Sequence, residues 1–490
     1  MSSEFAPGTQ HDRGLADRSI GQVAVLAQSV AAIAPSAVMA SLPALIVLFA
    51  GEGAWVSYVA AVIVVVLIGC CVAMFGRRLA SSGSLYTYVA RGLGPAGGFA
   101  AGWGIVIGYI CIAMLGVIGG GVYLGSFLEE IGISGTSTAT QVILYVVFAV
   151  LGAALAVAGI KLSTRLGLVL EVISVSAVLI VFIVVVVQNG LSFDTSQLQL
   201  EGATFDGVTF GIVLAVLGFV GFESAASLGA EAKNPHRAIP RAVLGSAVLV
   251  GVMYIFATYA SILGFGSAEA LGLSTAPVSD LATDVGMDAF TPVIDLGVTA
   301  SFFAVTIASI NAASRVVYTM GEEGVLPAAV GRAHATYRTP HVAIMLIAPF
   351  VAVVPIVMVV NGSEPLIAFG YIGTVGTFGY MVAYLLMAVS LPLFLRRRGE
   401  SSPIAVVLSV AVVLSLLYVV YKNVYPEPPS PLNRLPYIFL AILLVGLLWY
   451  LVVRVTHPER TRRVGTYEED PVPLPGGRPG SGSAAPTDRR

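Results

Sequence analysis

The chain has 490 residues, of which 57% are hydrophobic and only 11% charged, with a net charge of −2 and a mean hydropathy of +0.92. A soluble domain carries about 25% charged residues, so this composition excludes a soluble enzyme. The near-neutral balance, with no basic stripe interleaved with aromatics, excludes a nucleic-acid binder.

Several stretches run for about 20 residues without a charge, the length a helix needs to cross a ~30 Å hydrocarbon core. Stretches such as 62–68 are apolar on every face and do not alternate with period two, which points to helices and not to a closed β-barrel. Apolar windows cut at charges and Gly/Pro clusters predict twelve membrane helices, over 20–50, 54–75, 96–127, 140–158, 163–188, 207–229, 240–264, 292–318, 341–360, 366–394, 402–422 and 435–455. If the start of the chain is cytoplasmic, the inner loops and tails collect all but Lys422 and Arg434 of the 25 lysines and arginines. A wrong helix count would scramble that alternation, so a multi-pass protein of the cytoplasmic membrane is expected, with both termini in the cytoplasm and the lipid bilayer around it.

Taken in order, residues 1–19 form a polar N-terminal tail with no cleavage expected. The first span contains Ala34-Pro35-Ser36 near its middle, where a proline removes a backbone hydrogen bond and clashes with the preceding turn. Cys70, Cys71 and Cys111 lie inside apolar runs and read as packing residues, with neither disulfide nor zinc spacing. Glu171 in the fifth span is an intramembrane acid, placed toward the cytoplasmic end. The sixth span holds Gly218-Phe219-Val220-Gly221-Phe222-Glu223-Ser224, two glycines and a carboxylate where a continuous helix wants neither.

Breaks at Pro35 and at Gly218 and Gly221 fall at corresponding places in two five-helix halves, the pointer to an inverted-repeat secondary transporter. The expected units are a first repeat over 20–190, a second over 191–394, two peripheral helices over 395–456 and a disordered cytoplasmic tail over 457–490. A broken helix leaves N–H groups and carbonyls unpaired. The N–H groups, with the positive end of the helix dipole, suit a carboxylate, and the carbonyls suit an ammonium or a cation.

Four stretches carry a resemblance that spans roughly residues 20–455. They are GSLYTYVARGLGPAGGFAAGW (83–103), GIKLSTRLGLVLEVIS (159–174), GFESAASLGAEAKNPHRAIPRA (221–242) and NAASRVVYTMGEEGVLP (311–327). Together the chain resembles the amino acid-polyamine-organocation superfamily of permeases. It departs from that pattern at Gly321-Glu322-Glu323-Gly324, where the family usually reads Ala-Arg-Asp-Gly, and at Ala34-Pro35-Ser36-Ala37, where the family break is glycine-rich. The resemblance implies an all-α polytopic fold of the LeuT type, a five-plus-five inverted repeat with helices one and six broken and two peripheral helices. It also implies alternating-access transport of an amino acid or related amine, with no enzymatic activity and no cofactor. A polyamine or amine importer, an amino acid exchanger and a non-transporting nutrient sensor are the alternatives.

The expected substrate site follows from the breaks: Ala34, Pro35, Ser36 and Ala37 in helix one, and Phe219, Val220, Gly221 and Phe222 in helix six. Tyr109, which faces the bundle in the family arrangement, is expected to lend a hydroxyl. Glu223, with Glu171 as second candidate, is expected to bind the amine or carry a coupling proton. Some proton-coupled relatives have a lysine at the position of Ser174, so the coupling ion here is H+ or Na+, with Ser309, Ser314 and carbonyls near Ala32 as sodium candidates. Asn311 is expected to bond across helices and Arg315 to snorkel to the interface. The five histidines fall in tails or loops, leaving no base-and-nucleophile pair for an intramembrane enzyme, and no repeated charge ring marks a channel.

Overall fold

The structure is a computed structural model that describes residues 19–191, 194–274, 276–425 and 430–466. The expected N-terminal tail and the end of the C-terminal tail lie almost entirely outside these residues. Chain order gives α1 (Gln22–Ile33), α2 (Pro35–Ala50), α3 (Ala54–Gly76), α4 (Leu85–Leu93), α5 (Pro95–Glu130) and α6 (Thr138–Ala158). There follow α7 (Ile160–Gln188), α8 (Thr195–Gln199), α9 (Phe205–Leu217), a 3-10 segment Phe222–Leu228, α10 (Pro235–Phe265), α11 (Ala268–Leu273) and α12 (Pro277–Asp284). The rest are α13 (Thr291–Glu322), α14 (His341–Val360), α15 (Pro365–Arg397), α16 (Pro403–Val424), α17 (Leu435–Thr456) and α18 (Pro458–Thr461). Many of them start on proline, among them α2, α5, α10, α15 and α16. A missing N–H is harmless in the first turn, and the fixed φ favours the helix.

Eleven helical stretches among the described residues are long and apolar enough to cross a membrane. The first, Gln22–Gly76, has 55 residues, far more than the ~20 that one crossing needs. It bends back at Gly51, whose φ of 55° and the short 3-10 turn Gly51–Gly53 separate α2 from α3. Counted on either side of that turn, the stretches are the twelve expected spans, and the fold is the expected all-α polytopic class. In α5, 89% of the most apolar window is buried, against 22% in α17. The centre of the bundle is therefore built on α5, with α13 and α15 packed along it, while α17 lies at the periphery.

At the end of the bundle where Ile20 lies, short segments lock the long helices together. Ile20 N–H donates to the Glu231 carbonyl at 3.0 Å and its carbonyl accepts from Lys233 N–H at 2.9 Å, tying the start of α1 to the segment before α10. Arg315 is a correction to the sequence reading. It does not reach an interface but is fully buried, its Nε and Nη2 donating to both Glu231 carboxylate oxygens at 2.6 and 2.9 Å and its Nη1 to the Asn311 carbonyl at 2.8 Å. A guanidinium that has a bidentate carboxylate in reach gains more from the pair than from snorkelling out of it. Asn311 bonds across helices as expected, donating from Nδ2 to Ser163 Oγ at 3.0 Å.

The boundary of the expected tail is a second correction. Residues 458–461 form α18, Thr461 and Val464 are buried, and Gly465 N–H donates to Glu323 Oε2 at 2.9 Å. The Tyr86 hydroxyl of α4 donates to the same oxygen. Glu323, where the chain departs from the family's motif, thus supplies an acceptor that orders the residues after α17. Nearby, Arg78 and Arg398 both bind Glu400; partial burial pushes its carboxyl up, but these two guanidinium groups outweigh that and hold it below the usual range.

Candidate functional site

The first break falls at Ala34, one residue before the predicted proline. Ala34 is left-handed, with φ 53° and ψ 62°, and its N–H still closes α1 on the Val30 carbonyl at 3.1 Å. Pro35 then opens α2, where its ring fits, so the proline restarts the helix and the alanine carries the strain, on the order of 1–2 kcal/mol for a residue with a Cβ.

The second break runs from the end of α9. Gly218 is still right-handed, Phe219 and Val220 close tight turns onto Val216 and Leu217, and the chain reverses hand at Gly221, φ 99°. A Cβ at Gly221 would stand 2.7 Å from the Ala32 carbonyl oxygen, so glycine is what allows the two breaks to meet back to back. Gly221→Ala is expected to cost about 1–3 kcal/mol from backbone strain alone, read as a lower melting temperature in detergent. Gly245→Ala, whose added methyl meets nothing within 4 Å, should leave the melting temperature unchanged or raised.

The breaks are also stitched by side chains. Ser29 Oγ donates to the Phe222 carbonyl at 2.6 Å and accepts from Ala225 N–H at 3.3 Å, and Ser224 Oγ donates to the Gln28 carbonyl at 3.2 Å. These bonds use up backbone groups that a broken helix leaves free.

Glu223 sits inside this junction, fully buried. Tyr109 of α5 donates its hydroxyl to Oε1 at 2.7 Å, and Tyr384 of α15 donates to Oε2. Both phenols reach it because glycines bring the two helices together: a Cβ at Gly379 would lie 2.4 Å from the Gly104 carbonyl oxygen, and one at Gly108 would lie 2.5 Å from the Tyr380 ring. Tyr380 completes an aromatic wall, its ring centroid 5.4 Å from that of Tyr109 and 5.9 Å from that of Tyr384. Its own buried hydroxyl has no hydrogen-bond partner among the described residues. Phe222 lies against Tyr384 at 5.9 Å, and Phe219 meets Tyr254 edge-on at 5.0 Å, while the Tyr254 hydroxyl holds the Gly218 carbonyl at 2.9 Å. A carboxylate between two phenol donors is a charge-assisted arrangement that can release a donor to an ammonium group or take up a proton.

Glu171 lies elsewhere than expected. It is not toward an end of the bundle but beside the first break, where its Oε1 accepts from both the N–H and the hydroxyl of Ser36 at 3.2 Å, and its Oε2 accepts from Ser301 Oγ of α13 at 2.7 Å. Ser36 does not bond its own helix; its hydroxyl also meets Ser174 Oγ at 2.5 Å. Glu171 is the twelfth residue of α7, which has 29 residues, so at a rise of about 1.5 Å per residue it lies well inside the helix and not at its end.

The sodium candidates separate. Ser314 Oγ donates to the Asn311 carbonyl of its own helix at 3.1 Å, whereas Ser309 Oγ is buried without a hydrogen bond among the described residues. Ala32 packs in an apolar cluster with Ala31, Ala304, Ala308 and Leu170.

The sequence reading missed Tyr384, Tyr380, Ser301 and Glu231. Tyr380 and Tyr384 carried a usable signal, two phenols at i and i+4 inside a membrane window and therefore on one helix face. Ser301 and Glu231 carried none, because a serine in a span and an acid before a Lys-Asn-Pro loop are ordinary alone.

Residues 24–464 match the amino acid permease family model. Among curated relatives, the chain is 26% identical over 371 residues to the branched-chain amino acid permease BcaP of Lactococcus lactis, covering 72% of this chain and 77% of the relative. It is 26% identical over 275 residues to the low-affinity putrescine importer PlaP of Escherichia coli, covering 55% and 60%. It is 26% identical over 341 residues to the serine/threonine exchanger SteT of Bacillus subtilis, covering 68% and 72%. A multi-pass helical chain with two abutting helix breaks, matched over most of its length, belongs to the amino acid permease family of membrane transporters.

Proposed function

We propose that the chain is a secondary transporter that moves an amino acid or related amine across the cytoplasmic membrane by alternating access, with both termini in the cytoplasm. The observation that carries this reading is the buried Glu223 carboxylate, held by phenols from two other spans at the junction of the two breaks. Among the described residues, charge, helix ends and aromatic faces converge there inside the membrane spans, and an intramembrane carboxylate is retained for such a role. Residues 20–190 and 191–394 are then the two inverted repeats, 395–456 the peripheral helices, and the coupling ion a proton on Glu223.

In this reading the arrangement described above is closed toward the cytoplasm. Opening it requires α1 to leave the Phe222–Leu228 segment, breaking the Ser29, Ser224 and Ile20 bonds together. Substrate entering from outside meets Phe219 and Phe222 as covers beside the two breaks, Ala34–Ala37 and Val220–Gly221. When its ammonium takes Glu223, Tyr109 or Tyr384 loses its acceptor, and the hold between α5, α15 and the sixth-span break loosens.

Uptake of radiolabelled amino acids and amines into proteoliposomes tests the reading, saturable uptake being the expected result and binding without flux the signature of a sensor. Phe219→Ala is expected to raise the half-saturation concentration about fivefold or more, the loss of a desolvated ring–cation contact of ~1 kcal/mol. An unchanged value removes Phe219 from the site.

A further inference from the structure

We infer that Glu171 occupies, from within the protein, the position where a substrate carboxylate would bind, and that the substrate is an organic amine without a carboxylate. The inference rests on the proposed transport function and narrows its substrate class. The start of α2 is the one helix N-terminus at the first break, and its anion-binding capacity is reduced, with its first available N–H already committed. Pro35 has no N–H, and the N–H of Ser36 goes to Glu171 Oε1 at 3.2 Å. The Ser36 hydroxyl donates to the same oxygen, and the Ser301 hydroxyl holds the other at 2.7 Å, so the carboxylate is gripped by three donors while only 1% of the residue is exposed. A helix N-terminus favours negative charge whatever its source, and a tethered carboxylate has no association entropy to lose, so it outcompetes a free one.

A second observation, independent of α2, points to a cation. Glu223 is fully buried, and neither it nor Glu171 has an ion-pair partner among the described residues. The Tyr380 hydroxyl beside Glu223, 1% exposed, is left without a hydrogen bond among three phenol rings. A carboxylate, a spare phenol oxygen and ring faces together make a place for an ammonium group, which donates to oxygens and is attracted to ring faces. A zwitterion would bring a further carboxylate to breaks that each already hold one, neither ion-paired with a lysine or arginine among the described residues; an amine brings only the compensating charge.

The test is competition for uptake in proteoliposomes of the full chain, using pairs that differ only by a carboxylate: ornithine and putrescine, valine and isobutylamine, tyrosine and tyramine. In wild type, the amine of the preferred pair is expected to compete at a concentration at least tenfold lower than its amino acid. Glu171→Gln removes the internal anion and is expected to shift that ratio toward the amino acid at least tenfold. Ser301→Ala, which loosens Glu171 but leaves its charge and size in place, is expected to shift it the same way by less, and it keeps the test sound if Glu171→Gln does not fold. An amino acid that competes as well as its amine in wild type, or a ratio that neither variant moves, overturns the inference while leaving transport intact. Absence of uptake of either member of every pair overturns the transporter reading as well.

Discussion

Replacing Glu223 by glutamine is expected to remove coupled transport while the protein still inserts and purifies normally. The amide keeps the size of the carboxyl and remains within reach of Tyr109 and Tyr384, so the junction of the breaks stays filled. What disappears is the charge. A hydrogen bond between ionised partners is worth about 1.5–3 kcal/mol, so an ammonium substrate should lose about ten- to a hundredfold in apparent affinity. An amide also takes up no proton in the working range, so whatever uptake survives should no longer change with pH. Uptake measured from acid to neutral pH in proteoliposomes checks both; wild-type affinity with wild-type pH dependence removes Glu223 from the mechanism.

Breaking the Arg315–Glu231 pair from one side is expected to be the most destabilising single change in the chain. Both side chains are fully buried, and the two contacts are bidentate at 2.6 and 2.9 Å. Removing either partner strands a charge in the interior, at a cost of about 3–5 kcal/mol, whereas replacing both by apolar residues of similar size is often close to neutral. Arg315→Met and Glu231→Met should therefore each lower stability sharply, and the double variant should be more stable than either. Thermal unfolding of the four proteins in one detergent closes the cycle. Single variants within about 1 kcal/mol of wild type, as for an exposed pair, would mean the pair is not desolvated in the membrane. Because Glu231 follows the Phe222–Leu228 segment and Arg315 sits on α13, the double variant should also open more readily at the Ile20 end, read as faster labelling of a cysteine placed at Ser29.

Much of this architecture was legible from residues alone because membrane crossing constrains composition so strongly. A helix in hydrocarbon must satisfy its backbone internally and carry few charges, so spans and loops separate cleanly. The second break was legible because Gly218 and Gly221 stand just before an acid, Glu223, where glycine and charge are both unfavourable. The first was displaced by one residue, since proline's preference for the first turn outweighs its habit of disrupting an interior one, and Ala34 takes the left-handed backbone instead.

What sequence did not reveal is which polar groups face each other. Arg315 and Glu231 are 84 positions apart, and no periodicity within either element records their pairing. Glu171 was misjudged because position along a span does not record which residues of other helices, here Ser36 and Ser301, pack beside it. The residues after 456 read as a solvated tail by composition, yet a single buried acceptor, Glu323, orders ten of them as far as 466. Partnership across the fold is a property of packing, which is why Glu231 and Ser301 emerged only with the three-dimensional arrangement.

Transport through the Glu223 site can be followed as time-resolved uptake of radiolabelled putrescine and isoleucine into proteoliposomes containing the purified chain, run beside the Glu223→Gln variant and empty vesicles. Saturable accumulation of at least one of the two above empty vesicles is expected, abolished or stripped of its pH dependence in the variant. Uptake that is identical in wild type and variant, or ligand binding with no flux in either, would contradict it.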